Sequence, residues 1–154
     1  SLTGHLVLST LHTNDAVSSI ARLIDLGAER FLLSTTLKLV VAQRLVRLIC
    51  PHCKTALLDQ NEHAAALALG IGADGLLKGR GCEHCFQIGF SGRTAIYELL
   101  SVDEELSQMI LKSAGGHEIL GVAAAKGMRT LRESGVELIK RGKTTPSEVL
   151  RETC

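Results

Sequence analysis

CPHCKTALLDQNEHAAALALGIGADGLLKGRGCEHC, residues 50–85, holds four of the chain's five cysteines as two matched pairs, Cys50-Pro51-His52-Cys53 and Cys82-Glu83-His84-Cys85. Between the pairs lie 28 residues, Lys54 to Gly81. A tetrahedral structural zinc ion takes four thiolates, and two residues between paired cysteines let the chain turn so that both sulfurs face one ion. The intervening stretch is longer than the usual spacing of about 15–20 residues, so it is expected to carry a short helix. Asp59-Gln60-Asn61-Glu62 reads as a capping box, Ala64 to Leu69 as helix and Gly70 as its stop.

Two other readings use the same cysteines. A pair of disulfides needs an oxidising compartment, and nothing in the chain resembles a secreted protein. A redox dithiol would suit Cys50-Pro51-His52-Cys53 alone, but a redox site has no use for a matching second pair. His52 or His84 could replace a cysteine as ligand, although four thiolates already fill the coordination sphere. Cys154 is expected to be a free surface thiol. A zinc held by four protein ligands leaves no position for an activated water, so the metal is read as structural.

Composition narrows the class. The 154 residues suffice for one ordinary domain or two small ones, with an aliphatic core, since hydrophobic residues make up 45% and Trp is absent. Seventeen basic residues nearly cancel sixteen acidic ones for a net charge of +1, with no basic block, which argues against nucleic acid as a partner. No apolar run approaches the roughly 20 residues of a membrane span, and no signal peptide opens the chain. A reducing, cytoplasmic setting is expected, with any membrane contact made through another protein. The start, Ser1-Leu2-Thr3-Gly4, lacks Met and is expected to be internal to a longer protein.

His5 to Leu11 reads as a buried strand of a parallel sheet, which would need partner strands from elsewhere. His12 to Asp15 then turns the chain, with Thr13 or Asn14 as helix N-cap. Val17, Ile20, Leu23 and Ile24 recur at helical spacing, and Gly27 ends the helix. Residues 31 to 49 suit one broad helical face, although Leu45 to Ile49 fits a strand equally well. Gly89 to Arg93 is turn-like, and Thr94 to Leu100 is expected to return to the sheet. From a capping box at Ser101-Val102-Asp103-Glu104 the chain reads as helical, broken at Gly115-Gly116, Gly127 and Gly142, with Thr145-Pro146-Ser147-Glu148 capping the last helix.

His5 and His12 stand at opposite ends of the expected first strand. Being seven residues apart, they would face opposite sides of a regular strand. His12 is the stronger candidate, because ligands of open α/β sheets bind where a strand's carboxyl end meets a helix start, and free helix-start amides suit an anion such as phosphate. Backbone hydrogen bonding that merely caps the strand is the competing reading. Arg44 and Arg93 are candidate phosphate contacts or ordinary surface groups. Gly142-Lys143-Thr144 imitates the end of a phosphate-binding P-loop, but Glu137 stands where the first glycine belongs and a helix precedes it, so it is rejected.

Four segments together resemble a known family. Thr3-Gly4-His5-Leu6-Val7-Leu8-Ser9-Thr10-Leu11-His12-Thr13-Asn14 is similar to the histidine box of the secretion ATPases that drive type II secretion and type IV pilus assembly. Ala42-Gln43-Arg44-Leu45-Val46-Arg47, leading into the first cysteine pair, resembles the segment after it. Gly89-Phe90-Ser91-Gly92-Arg93-Thr94-Ala95-Ile96-Tyr97-Glu98-Leu99-Leu100 resembles the stretch after the second pair. Met128-Arg129-Thr130-Leu131 and Thr144-Thr145-Pro146-Ser147-Glu148-Val149 resemble the helical tail.

The resemblance implies an α/β fold, the C-terminal part of a RecA-like ATPase domain with a tetracysteine zinc insertion and a helical C-terminal subdomain. Its segments would be 1–49 (ATPase core with the histidine box), 50–85 (zinc module), 86–100 (return to the core) and 101–154 (helical subdomain). The implied whole protein is a hexameric ATPase that uses ATP and Mg²⁺. It would lie on the cytoplasmic face of the bacterial inner membrane and act with platform and cytoplasmic-domain proteins of the machine. His5 and His12 match the two box histidines, one of which would sense the γ-phosphate or position water. Arg93 lies where the family chain passes near the nucleotide, and Cys50, Cys53, Cys82 and Cys85 match the zinc ligands. No P-loop or Mg²⁺-binding acidic box matches, so the 154 residues are expected to be inactive alone. A non-catalytic zinc-ribbon adaptor is the alternative, and Lys54 to Gly81 is the expected partner-docking surface.

Overall fold

The computed structural model describes residues 4–57, 59–72 and 74–153. Cys154 and the Thr3 of the histidine segment therefore lie outside the described residues. In chain order the elements are α1 (Ala16–Asp25), α2 (Arg30–Thr36), β1 (Leu39–Ile49), β2 (Lys54–Ala56), α3 (Gln60–Ala68), β3 (Leu77–Gly79), a 3₁₀ turn (Glu83–Cys85), β4 (Phe90–Ser101), α4 (Glu104–Leu111), α5 (Gly116–Ala125), α6 (Leu131–Lys140) and α7 (Pro146–Thr153). Among the described residues β1 pairs with β4, and β2 pairs with β3. The chain divides into two compact units, one running to Ala42 and including Glu98–Thr130, the other comprising Gln43–Tyr97 and the tail from Leu131.

In the first unit α1 packs on α5 and α2 on α4. Val17 and Ile20 of α1, Leu33 of α2, Leu106 and Ile110 of α4 and Ile119 of α5 are buried. Each fully buried aliphatic side chain of this kind contributes about 1.5–3 kcal/mol. Helix α1 stops at Gly27, whose φ of 94° needs a residue without Cβ, as expected from the sequence. Its N-cap is neither Thr13 nor Asn14. Asp15 takes that place: its carboxylate accepts the Ser18 N–H at 2.6 Å and the Ser18 hydroxyl answers on the Asp15 N–H. Asp103 likewise caps α4 through the Leu106 N–H at 3.0 Å, so the helix start expected at Ser101 lies two residues later and is held by this cap bond in place of the expected box.

The second unit has a compact apolar cluster of Leu57, Ala66, Leu76, Ile139 and Val149, with Leu69 and Ile71 against it. Helix α7 touches both α3 and α6. Helix α6 lies tight against α7 at Gly135, where a Cβ would stand 2.4 Å from Val149 Cγ1. The expected breaks at Gly115, Gly127 and Gly142 and the start of the last helix at Pro146 are all found.

Two expectations need correction. Residues 5–11 form no strand; Leu6 and Leu8 are 87% exposed, because a buried strand requires ladder partners and the described residues supply none there. Residues 39–49 are strand, so the strand reading holds for Leu45 to Ile49 and the helical one fails from Leu39 on. Their burial alternates with period two, Ala42 and Val46 inward against Leu39, Val41 and Leu45 outward.

Candidate metal centre and functional site

Cys50 follows directly on β1, and its N–H is held by Gly89 O at 3.0 Å; Cys53 N–H then reaches back to Cys50 O at 3.4 Å. Cys82 opens the 3₁₀ turn, where the Cys85 N–H bonds to Cys82 O at 3.2 Å and the Gln87 N–H to the same oxygen at 2.9 Å. To make that reversal Phe86 and Gln87 adopt left-handed φ values of 51° and 65°. Two antiparallel strands bring the pairs together, with Lys54 opposite Gly79 and Ala56 opposite Leu77. The closure is tight: a Cβ on Gly79 would lie 1.9 Å from Gly89 O.

The result is a quartet of sulfurs all within 4.8 Å of one another. Cys50 to Cys82 is 3.9 Å, Cys53 to Cys85 is 3.8 Å and Cys82 to Cys85 is 3.7 Å. A tetrahedral ion with metal–sulfur bonds of about 2.3 Å places its thiolates about 3.8 Å apart, the spacing seen here. A disulfide needs about 2.05 Å, and all four cysteines are free. Cys50, Cys53 and Cys85 are buried. His52 and His84 are exposed and stack on each other with centroids 4.1 Å apart, outside the sulfur quartet.

Burial pushes the Cys53 thiol up to about 12 and also raises that of Cys82. Burial acts in the same direction on Cys85, but the amides of Gly89 and Cys82, each 3.3 Å from its sulfur, outweigh it and bring Cys85 down to about 6. N–H groups aimed at a sulfur favour the thiolate that a metal binds. With all four ligands supplied by the chain, such an ion is a cross-link and not a reaction centre.

The stretch between the pairs carries its expected helix. Asp59 caps α3 through the Asn61 N–H at 2.9 Å. Glu62 does not complete the box; it reaches the Ser147 N–H at 2.8 Å and the Ser147 hydroxyl. A feature that sequence reading missed lies nearby. Glu148, 2% exposed, accepts Arg47 Nη2 at 2.7 Å and Nε at 3.0 Å, the Arg47 backbone N–H at 2.9 Å and Arg151 Nη2 at 2.8 Å. The Arg47 guanidinium also lies 4.3 Å from the Phe90 ring centroid. Burial alone would raise the Glu148 carboxyl, but the Arg47 fork and backbone amide hold it below the usual carboxylate range. The Gly142-Lys143-Thr144 segment is a joint: Thr144 Oγ1 donates to Arg47 O at 2.8 Å and Lys143 O accepts the Ile49 N–H at 2.8 Å.

His5 and His12 lie in the first unit and Arg93 in the second, and each is exposed. The expectation that free amides at the α1 start would hold phosphate is corrected. The Ala16 N–H goes to Glu98 Oε1 at 2.9 Å and the Ser18 N–H to Asp15, so two carboxylates already occupy that end. Anionic side chains at a helix start satisfy its amides, so these two are not available to a ligand.

Compared with known proteins, residues 1–151 match the profile of the type II/IV secretion system protein family. The chain belongs to that family. Among secretion family members, Type II secretion system protein HxcR of Pseudomonas aeruginosa is 44% identical over 153 residues, covering 99% of this chain and 29% of its own length. Type IV pilus assembly ATPase PilB of Thermus thermophilus is 46% identical over 155 residues, 99% of this chain and 17% of its own length. Type II secretion system protein E of Dickeya dadantii is 45% identical over 155 residues, 99% of this chain and 30% of its own length. The chain thus spans less than a third of these secretion and pilus relatives. No helix of the described residues is long and apolar enough to cross a membrane.

Proposed function

We propose that this chain is the C-terminal part of an ATPase motor that drives type II secretion or type IV pilus assembly. The observation that carries the reading is the 44–46% identity, over almost the whole chain, with proteins named for those two machines, one of them a pilus assembly ATPase. In this reading residues 1–49 and 86–100 belong to a RecA-like ATPase core, 50–85 are a zinc module and 101–154 a helical subdomain. The full-length protein would bind ATP with Mg²⁺, assemble as a hexamer and sit at the cytoplasmic face of the inner membrane against platform and cytoplasmic-domain proteins. The 154 residues alone would not hydrolyse ATP.

Cys50, Cys53, Cys82 and Cys85 would hold one structural Zn²⁺, which supplies a cross-link between β1, the β2–β3 hairpin and the start of β4. Three sulfur pairs at 3.7–3.9 Å, in a quartet all within 4.8 Å, support that assignment. His12, exposed in the turn before α1, would reach the terminal phosphate or the attacking water of a nucleotide bound by the rest of the motor. His5 would be the second histidine of the same box, and Arg93 would contact the nucleotide. The test is ATP hydrolysis by the full-length protein: a Mg²⁺-dependent activity is expected, with His12→Ala lowering kcat by roughly 10²–10⁴-fold. A full-length protein that binds no ATP, or whose kcat ignores His12→Ala, would overturn the reading.

A further inference from the structure

The turn that carries His12 is fastened from a distant part of the chain. Glu98 on β4 is 4% exposed, and its Oε1 accepts the N–H of Ala16, which is fully buried at the first position of α1. A buried carboxylate is costly to desolvate unless it is hydrogen-bonded, so an apolar residue would serve better here if packing were the only requirement. The turn itself is knitted together. Ser19 Oγ donates to Asp15 O at 3.0 Å, which leaves the Thr13 hydroxyl to donate to Ser19 Oγ at 2.7 Å. Asp15, between them, is bonded to Ser18 through both its carboxylate and its N–H. The residue after His12 is thus hydrogen-bonded into a helix start whose first amide is tied to β4.

We propose that Glu98 is a positioning residue for His12: its carboxylate fixes the first turn of α1 against β4 and so gives the His12 backbone one place relative to the strand. This rests on the reading of His12 as a nucleotide-contacting residue. Displacing a reacting group by about 1 Å costs on the order of 10²-fold in rate, whereas binding contacts made elsewhere on a ligand are unaffected. The signature is therefore a loss in kcat with KM for ATP retained.

The test uses the full-length protein and steady-state ATP hydrolysis. Glu98→Ala is expected to lower kcat by roughly 10- to 100-fold while KM stays within about twofold. Glu98→Gln, whose carboxamide oxygen can accept the same N–H, is expected to stay within about threefold of the wild-type kcat. Ala16→Pro removes the donor at a position where proline suits a helix, and the extended Asp15 backbone before it (φ −146°, ψ 174°) is compatible with a following proline, so it should reproduce the Glu98→Ala loss. If Glu98 acts through His12, the double variant Glu98→Ala/His12→Ala is no slower than His12→Ala alone. Wild-type kcat in Glu98→Ala beside an impaired His12→Ala would overturn this proposal and leave the ATPase reading intact, as would losses that multiply in the double variant. A His12→Ala protein at full kcat would overturn the reading beneath it.

Discussion

Replacing Arg47 by alanine strands a buried charge. Glu148 keeps the Arg47 backbone N–H at 2.9 Å, which the substitution does not touch, and Arg151 at 2.8 Å, whose side chain is 54% exposed. It loses three guanidinium contacts at 2.7–3.0 Å, and Phe90 loses the cation above its ring. Removing one partner of a buried pair costs about 3–5 kcal/mol; the two surviving donors reduce that and the lost cation–π contact adds about 0.5–1 kcal/mol. A net loss of about 2–4 kcal/mol at pH 7 is expected on that basis. Glu148→Gln removes the buried charge instead, and Arg47, 33% exposed, can hydrate, so this variant should lose less, about 1–2 kcal/mol.

The pH dependence distinguishes charge from packing. In the wild type the folded Glu148 carboxyl lies below its unfolded value. Its contribution is therefore complete above the unfolded value of about 4.3 and is lost only as pH falls through the lower folded value. Without the Arg47 guanidinium, burial dominates and the folded value rises above the unfolded one. The penalty in Arg47→Ala is then largest at high pH and shrinks as pH falls from about 8 towards 5, while the wild type changes little from this group. Urea unfolding of the zinc-loaded protein at several pH values in that range measures both. A loss below about 0.5 kcal/mol, a pH-independent loss, or a Glu148→Gln variant less stable than Arg47→Ala would refute the reasoning.

Two further substitutions test close backbone approaches. Gly79→Ala places a methyl against the backbone at Gly89, where nothing can move aside cheaply; expression should yield protein with less than one zinc per chain by elemental analysis, and full occupancy with an unchanged melting point would count against the described closure. Gly135→Ala drives a methyl into Val149 in the crossing of α6 and α7; overpacking of about 1–3 kcal/mol should exceed the helix-propensity gain of up to about 1 kcal/mol, and a raised thermal midpoint would show the crossing to be looser than described.

The cysteine pairs were legible because metal chemistry fixes their local spacing whatever the surrounding fold. The helix over Gln60–Ala68 was legible for a similar reason, since Asp59 and Gly70 punctuate it locally. Strand β1 was legible only at its end, where Leu45 to Ile49 fitted a strand as well as a helix, because both of its faces are apolar: with Leu39, Val41 and Leu45 outward and Ala42 and Val46 inward, the period of two vanishes from the hydropathy and a helical spacing appears in its place. The first segment failed in the opposite way. Its composition is that of a buried strand, but composition does not supply ladder partners. Glu98 and Glu148 were invisible as anchors because their partners stand 82 and 101 residues away. A glutamate in a strand or a capping box gives no local sign that it is buried.

The claim on which the module's architecture depends is that four sulfurs hold one ion. X-ray absorption at the zinc edge of the purified protein reads it directly. Four sulfur ligands at about 2.3 Å, with no nitrogen or oxygen in the inner sphere, is the result expected from the quartet. A sphere containing imidazole nitrogen, fewer than four sulfurs, or a metal-free protein with cysteines in disulfides would contradict it.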